Sequence, residues 1–171
     1  REEGALCLGQ LQHARDRDDD LRALLPDDDP TVRASAVLAL GQIADPATLK
    51  DLEKATTDTS EETRANAAFS IGLLADIKAQ PVLMPLAGDP SPKVRAADAT
   101  ALGRLHDAGG ATTVLTLLSD PDMSVRAAAA LAAWKFANPE PFLDALVSSL
   151  STDTSGVRIA AAYALARLAS A

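Results

Sequence analysis

The sequence is poor in the side chains that most often carry chemistry. Its 171 residues include one cysteine, two histidines and only 3% aromatic residues. A single cysteine excludes a disulfide within the chain. Metal sites need several His, Cys or carboxylate ligands at defined spacings, whereas His13 and His106 lie far apart in the sequence. The sequence also lacks a nucleophile elbow and a phosphate-binding glycine loop. We therefore expect a protein that is not an enzyme and that needs no metal or cofactor.

Positive charge is scarce as well. Lys and Arg number 16 against 24 Asp and Glu, which gives a net charge of −8. Nucleic-acid binding requires a concentrated basic surface, so nucleic acid and anionic membranes are disfavoured as partners. No apolar run approaches the about 20 residues of a membrane span, and no signal peptide is visible. Because the chain opens without Met inside a predicted helix, we expect a fragment of a longer protein. Its compartment and oligomeric state stay open.

An arginine, usually preceded by Val, recurs along the whole chain. The intervals are 31, 31, 31 and 32 residues between Arg33, Arg64, Arg95, Arg126 and Arg158. Residues 4–11 also overlay residues 36–43, which places Arg1 in the same column. Self-similarity at this period is typical of a solenoid. We predict an all-α, right-handed α-solenoid of about eleven helices, in which a half repeat over 1–14 precedes five repeats within one array over 1–171.

Each repeat is predicted to be a helical hairpin. The apolar spacing predicts first helices over 46–56, 78–87, 109–118 and 140–151, after a short helix at 21–25. It predicts second helices over 31–44, 62–75, 92–105, 123–137 and 155–169. The residues before the first helices are expected to cap them with a side-chain oxygen. These residues are Asp45, Asp76, Asp107 and Asn138.

A column of aspartates accompanies the arginines. Each lies six residues before the arginine of its own repeat, or five in the last repeat, and the column consists of Asp27, Asp58, Asp89, Asp120 and Asp153. Arginine and carboxylate can form two parallel charge-assisted hydrogen bonds. We expect a structural ladder in which each arginine pairs with the acid of its own repeat. The alternative, an arginine row that grips an anionic ligand, is disfavoured because paired arginines have little charge left to offer.

The pattern over Asp89–Gly103, which reads Asp-Pro, Val-Arg and then Ala-Leu-Gly, resembles the short HEAT-like repeat of phycobilin lyases and many bacterial proteins. The resemblance covers essentially the whole chain, with Trp134 replacing the helix glycine. It implies a scaffold that binds a protein or peptide along a concave face formed by the second helices. Two alternatives are a phycobilin-type chromophore lyase subunit and the accessory domain of a larger enzyme such as a prolyl isomerase. Deoxyhypusine hydroxylase has similar repeats but carries His-Glu pairs, which this sequence lacks.

Two columns of the second helices are candidates for partner binding. The position three residues before the helix glycine lies off the predicted core stripe and reads Leu38, Phe69, Thr100, Leu131 and Tyr163. This largely apolar row contacts either a partner or the neighbouring helices. The position after the glycine becomes basic in the last three repeats, as Arg104, Lys135 and Arg167. These cations either attract an acidic or C-terminal peptide segment or simply favour the helix ends that they occupy.

Overall fold

The structure, a computed structural model, describes residues 18–169. Within that range it contains ten α-helices, three 3₁₀ segments and no strand, which confirms the predicted α-solenoid. The first helices are α1 (Asp18–Arg22), α3 (Leu49–Ala55), α5 (Gln80–Leu83), α7 (Ala108–Leu117) and α9 (Glu140–Thr152). The second helices are α2 (Pro30–Ile43), α4 (Glu61–Leu74), α6 (Pro92–Leu105), α8 (Met123–Ala133) and α10 (Ser155–Ala169). The predicted half repeat, with Arg1 and Cys7, lies outside the described residues.

The turns between second and first helices repeat one backbone device. Ala44, Ala75 and His106 each take a left-handed conformation, with φ of 55°, 52° and 57°, and this stops the preceding helix. The aspartate that follows caps the next helical segment, because its side chain accepts a hydrogen bond from an otherwise unpaired amide. Asp45 accepts from the amide of Ala47 at 2.9 Å. The other expected caps behave alike, at 3.0, 3.1 and 3.3 Å for Asp76, Asp107 and Asn138.

Four helices differ from their expected bounds. The short helix expected at 21–25 lies at Asp18–Arg22, and the one expected at 46–56 begins as a 3₁₀ segment (Pro46–Thr48) before α3. The predicted helix at 78–87 is broken into a 3₁₀ segment (Ile77–Ala79), the short α5 and a second 3₁₀ segment (Met84–Gly88). Pro85 explains the break, because proline has no amide hydrogen and clashes with the carbonyl four residues earlier. The helix expected at 123–137 ends at Ala133, next to the tryptophan that replaces the helix glycine.

The second helices meet at their glycines. A methyl group added to Gly41, Gly72 or Gly103 would lie within 3.0 Å of the next second helix, so this close approach requires glycine. The residues on the opposite side of each contact are small, namely Ser70, Ala101 and Ala132. The second helices therefore form a tight inner wall, whereas the described first helices touch one another much less. This difference places the second helices on the concave side of the array.

The core lies between the two helix layers and consists mainly of Ala, Leu and Val. Asp98 on α6 is an exception, because it is fully buried and neither of its carboxylate oxygens has a hydrogen-bond partner among residues 18–169. Desolvation raises its pKa well above the usual range of an aspartate. Other repeats have alanine three residues after the arginine, as at Ala36, Ala67 and Ala129. The acid is therefore a local departure from a packing column.

Candidate interaction groove on the concave face

The arginine column joins neighbouring repeats. In the rung that starts at Arg33, the Nε and Nη2 groups donate to the two carboxylate oxygens of Asp58, both at 2.8 Å. The Nη1 group of the same arginine donates to the backbone carbonyl of Asp27 at 2.9 Å. The geometry recurs in the next three repeats, in the pairs Arg64–Asp89, Arg95–Asp120 and Arg126–Asp153. Each arginine thus ties its own turn to the turn of the following repeat.

This arrangement corrects the expected pairing. We predicted that an arginine would pair with the carboxylate six residues before it, but that aspartate supplies only its backbone carbonyl. Asp153 is therefore taken by Arg126 rather than by Arg158. The hydrogen bonds from the arginines lower the pKa of the aspartates, in the case of Asp153 to about 2. Four of the five arginines in this column use their N–H groups for hydrogen bonds within the fold. They therefore do not form a row that binds a ligand.

The side chains of the apolar row become more exposed to solvent towards the C-terminal end of the chain. Leu38, Phe69 and Thr100 are partly buried, and Thr100 directs its hydroxyl to the carbonyl of Ala96 at 3.0 Å. In contrast, Leu131 and Tyr163 are 43% and 50% exposed. The first members of the row therefore pack on neighbouring helices, whereas the last two present apolar surface.

Two shallow grooves run between the second helices at these exposed residues. The first lies between α6 and α8, has a volume of about 480 Å³, and is lined by Thr100, Leu131 and Lys135 together with small residues. The second lies between α8 and α10, has a volume of about 320 Å³, and is lined by Leu131, Ile159 and Tyr163. Because both grooves border Ala127 and Leu131 of α8, they lie side by side across three repeats, and we call the pair the concave groove.

Of the three candidate cations, Lys135 lines the concave groove, and aromatic rings of the second-helix layer hold the other two. The guanidinium carbon of Arg104 lies 4.4 Å from the centre of the Phe69 ring, and that of Arg167 lies 4.7 Å from the Trp134 ring. Such contacts are favourable because a cation is attracted to the face of an aromatic ring. Trp134 also meets Tyr163 edge to face, with ring centres 6.4 Å apart. The aromatic residue that departs from the repeat pattern therefore orients a cation.

Lys135 lies between these two arginines in the sequence of repeats. Burial, and then the positive charge of Arg104, lower the pKa of Lys135. Its backbone carbonyl accepts a hydrogen bond from Nδ1 of His106 at 3.0 Å, which requires the proton on that nitrogen. This contact fixes the end of α8 against the preceding repeat. All eight residues predicted for partner binding lie on the second-helix layer, but the structure brings only the later ones together around the groove.

Sequence reasoning missed the pocket-forming role of the small residues. Ala127, Gly156 and Ile159 line the concave groove, and they lie beside the arginine column rather than in either candidate column. Ala127 and Gly156 are small and leave room between adjacent second helices, whereas Ile159, which is 71% exposed, stands where the earlier arginines are followed by alanine.

Between residues 18 and 169, no three His, Cys, Asp or Glu side chains are arranged to hold a metal ion. No helix in the same range is long and apolar enough to cross a membrane. A further cavity of about 350 Å³ involves Arg22, Asp51 and Asp58, whose charges are already paired within the fold. The concave groove is thus the better candidate for a partner.

Known structures share this architecture. A chain in the complex of CpcE and CpcF of phycocyanin lyase from Nostoc sp. PCC7120 is 24% identical, with a TM-score of 0.78 over 90% of this chain and 65% of that chain. A designed armadillo repeat protein in complex with the peptide (KR)4 is 21% identical, with a TM-score of 0.69 over 98% of this chain and 91% of that one. Human deoxyhypusine hydroxylase is 21% identical, with a TM-score of 0.55 over 99% of this chain and 79% of that one.

The chain thus spans 65% of the length of the phycocyanin lyase chain. No curated protein matches it in sequence. At these levels of identity the solved structures establish the fold alone. The family model for HEAT repeats, however, matches residues 1–61, 52–118 and 111–171, which together cover the whole chain. The chain therefore belongs to the HEAT-repeat family.

Proposed function

We propose that the chain is a non-catalytic scaffold that holds a protein partner in its concave groove. The observation that carries this proposal is the group of exposed apolar side chains at Leu131, Ile159 and Tyr163, which line the part of the concave groove between α8 and α10. Large exposed apolar residues that are grouped in a groove mark sites of protein interaction. The stacked helices hold these side chains in place before binding, so little ordering cost is incurred on association.

The structural neighbours support this use of the fold. One was solved with a bound peptide, and another was solved as a complex of two proteins. Both share the fold of this chain, with TM-scores of 0.69 and 0.78. In the proposed function the chain supplies shape and side chains to its partner, and no residue transfers a group or a proton.

The test compares the inner wall with the outer layer. The immobilised chain is incubated with an extract of its native cells, alongside a variant with Leu131→Ser and Tyr163→Ser, two exposed residues that line the groove. The matched control carries Ile77→Ser and Val147→Ser, because these residues are 58% and 56% exposed on the first-helix layer. We expect the control to retain the proteins captured by the wild type and the inner-wall variant to lose them. Loss in the control alone would contradict the proposal.

The chromophore-lyase alternative has a separate test. If the chain held a bilin for transfer to a carrier protein, mixing the two would change the absorbance spectrum of the tetrapyrrole. The scaffold proposal predicts that the absorbance spectrum of the bilin stays unchanged when this chain is added, even at bilin concentrations that would saturate a lyase.

A further inference from the structure

The inner wall of the last three repeats is free of exposed acid. The chain carries 24 Asp and Glu, yet α8 and α10 contain none. The single acid of α6 is Asp98, which is fully buried in the core. The acids of these repeats lie instead in the turns and in the first helices, as at Asp107, Glu140 and Asp144. The concave groove therefore differs in charge from the rest of an acidic molecule.

Two of the candidate cations, Arg104 and Lys135, are not neutralised by the described part of the chain. Among residues 18–169, neither Arg104 nor Lys135 forms an ion pair. The Nη1 group of Arg104 is buried and has no hydrogen-bond partner in that range, although such groups usually have one. Lys135 lines the groove itself, where burial and, to a lesser extent, the nearby charge of Arg104 lower its pKa. A carboxylate brought into the groove would relieve both costs.

Apolar side chains and positive charge both occur at the concave groove. Leu131 lies at the junction of the two grooves, and Lys135 is one helical turn further along the same chain segment. If an apolar side chain of a bound partner contacts Leu131, the residues next to it in the partner's sequence therefore lie near the cations. Three helices with axes about 10 Å apart span about 20 Å, which is also the reach of about six extended residues.

We propose that the concave groove selects protein segments in which Asp or Glu side chains flank a large apolar side chain. This inference rests on the proposed function and specifies the chemistry of the partner. The apolar residue contacts Leu131 and Tyr163, and the carboxylates pair with Lys135 and Arg104. The −8 net charge repels acidic segments elsewhere on the surface, so selection depends on this local reversal of sign.

Three blocked peptides test the proposal by isothermal titration calorimetry with the full chain. The first is acetylated and amidated EDLFDE, which carries side-chain carboxylates without a free C-terminus. The second, KRLFRK, keeps the apolar pair and reverses the charge, and the third, EDSSDE, keeps the charge and removes the apolar pair. We expect EDLFDE to bind at least about tenfold more tightly than either comparator. Equal affinities, tighter binding of KRLFRK, or no heat from EDLFDE at about 1 mM would overturn the inference.

Charge variants locate the binding. Lys135→Glu should weaken EDLFDE binding by about tenfold or more. Lys135→Gln, a milder change should the first variant fail to fold, should weaken it by a smaller factor. Lys50→Glu is the matched control, since it changes the net charge equally at an exposed position on α3 and should leave the affinity close to that of the wild type. An equal loss in the Lys50 variant would show that net charge, and not the groove, sets the affinity.

This failure is distinguishable from failure of the proposed function. If Lys135→Glu captures the native partner as well as the wild type does, while the Leu131 and Tyr163 variant does not, the scaffold stands and the acidic specificity is wrong. If both variants capture the partner normally, the concave groove is not the binding site.

Discussion

The guanidinium of Arg95 grips Asp120, which lies 25 residues further along the chain in the next repeat, through two hydrogen bonds of 2.7 and 2.8 Å. The same guanidinium also donates to the backbone carbonyl of Asp89 in its own turn, at 2.9 Å. One side chain therefore joins two successive turns of the solenoid. Since repeats in such arrays are stabilised mainly by their neighbours, these rungs act directly on the interface that matters most.

The rungs predict unequal effects for equivalent arginines. Arg95→Ala leaves the carboxylate of Asp120 without its partner, so we expect the free energy of unfolding to fall by about 3 kcal/mol. Arg158→Ala removes an exposed arginine that has no recorded ion pair within residues 18–169, so we expect a change within about 0.5 kcal/mol. Urea unfolding followed by circular dichroism measures both. Equal losses would mean that the ladder contributes nothing specific.

Acid should unfold the array through the ladder. The arginines lower the pKa of their aspartates, and Arg126 lowers that of Asp153 to about 2. A lowered pKa in the folded state stabilises the protein above the unfolded value of about 4, and this contribution is lost as the pH falls towards 2. Thermal melts between pH 7 and pH 2 should show stability that falls below pH 4. Asp153→Asn should lower stability at pH 7 and flatten that decline, whereas Asp144→Asn, an exposed change, should do neither.

The contribution of Asp98 to stability should depend on pH in the opposite direction to that of the ladder aspartates. Burial raises its pKa, so its contribution to stability is present below the unfolded pKa of about 4 and is lost as the pH rises through the folded value. Asp98→Ala restores the alanine of the other repeats and should stabilise the chain at pH 7 by about 1–3 kcal/mol. The gain should shrink towards pH 4. A variant that is less stable than the wild type at pH 7 would show that the carboxylate has a favourable partner.

The helix glycines can be tested in pairs. A methyl group at Gly103 would lie 2.6 Å from Cβ of Ala132 and 2.9 Å from its Cα, so Gly103→Ala should cost about 1–3 kcal/mol through overpacking. Gly156 has no atom within 4 Å of the same position, and Gly156→Ala should be neutral or mildly stabilising. Chemical denaturation of the two variants provides the comparison. A neutral Gly103→Ala would contradict the close approach of α6 and α8.

Periodicity in the sequence was sufficient for the architecture but not for the connections between repeats. The column of Asp89 lies six residues before Arg95 and also 25 residues after Arg64, and a repeating pattern is equally consistent with both pairings. The offset between stacked hairpins decides between them, and that offset depends on packing. The break at Pro85, in contrast, could have been predicted from the sequence, because proline in a helix interior is destabilising, although we expected an unbroken helix over 78–87.

The candidate site likewise was predicted in part from the sequence, while the rest depends on packing. The columns that contain Leu131 and Lys135 were identified from the repeat alone. Which members of each column are exposed depends on the curvature of the wall and on contacts such as that between Arg104 and Phe69. Neither follows from spacing, since all members occupy equivalent positions in the repeat.

Site-specific photo-crosslinking tests the central claim most directly. A photoreactive benzoyl-phenylalanine is placed at Leu131 on the concave groove, or at Val147 on the outer layer, where the two native side chains are 43% and 56% exposed. The chain is then irradiated in an extract of its native cells. Our account predicts a discrete crosslinked protein from position 131 that an excess of EDLFDE peptide displaces, and none from position 147. A crosslink confined to position 147 would contradict it.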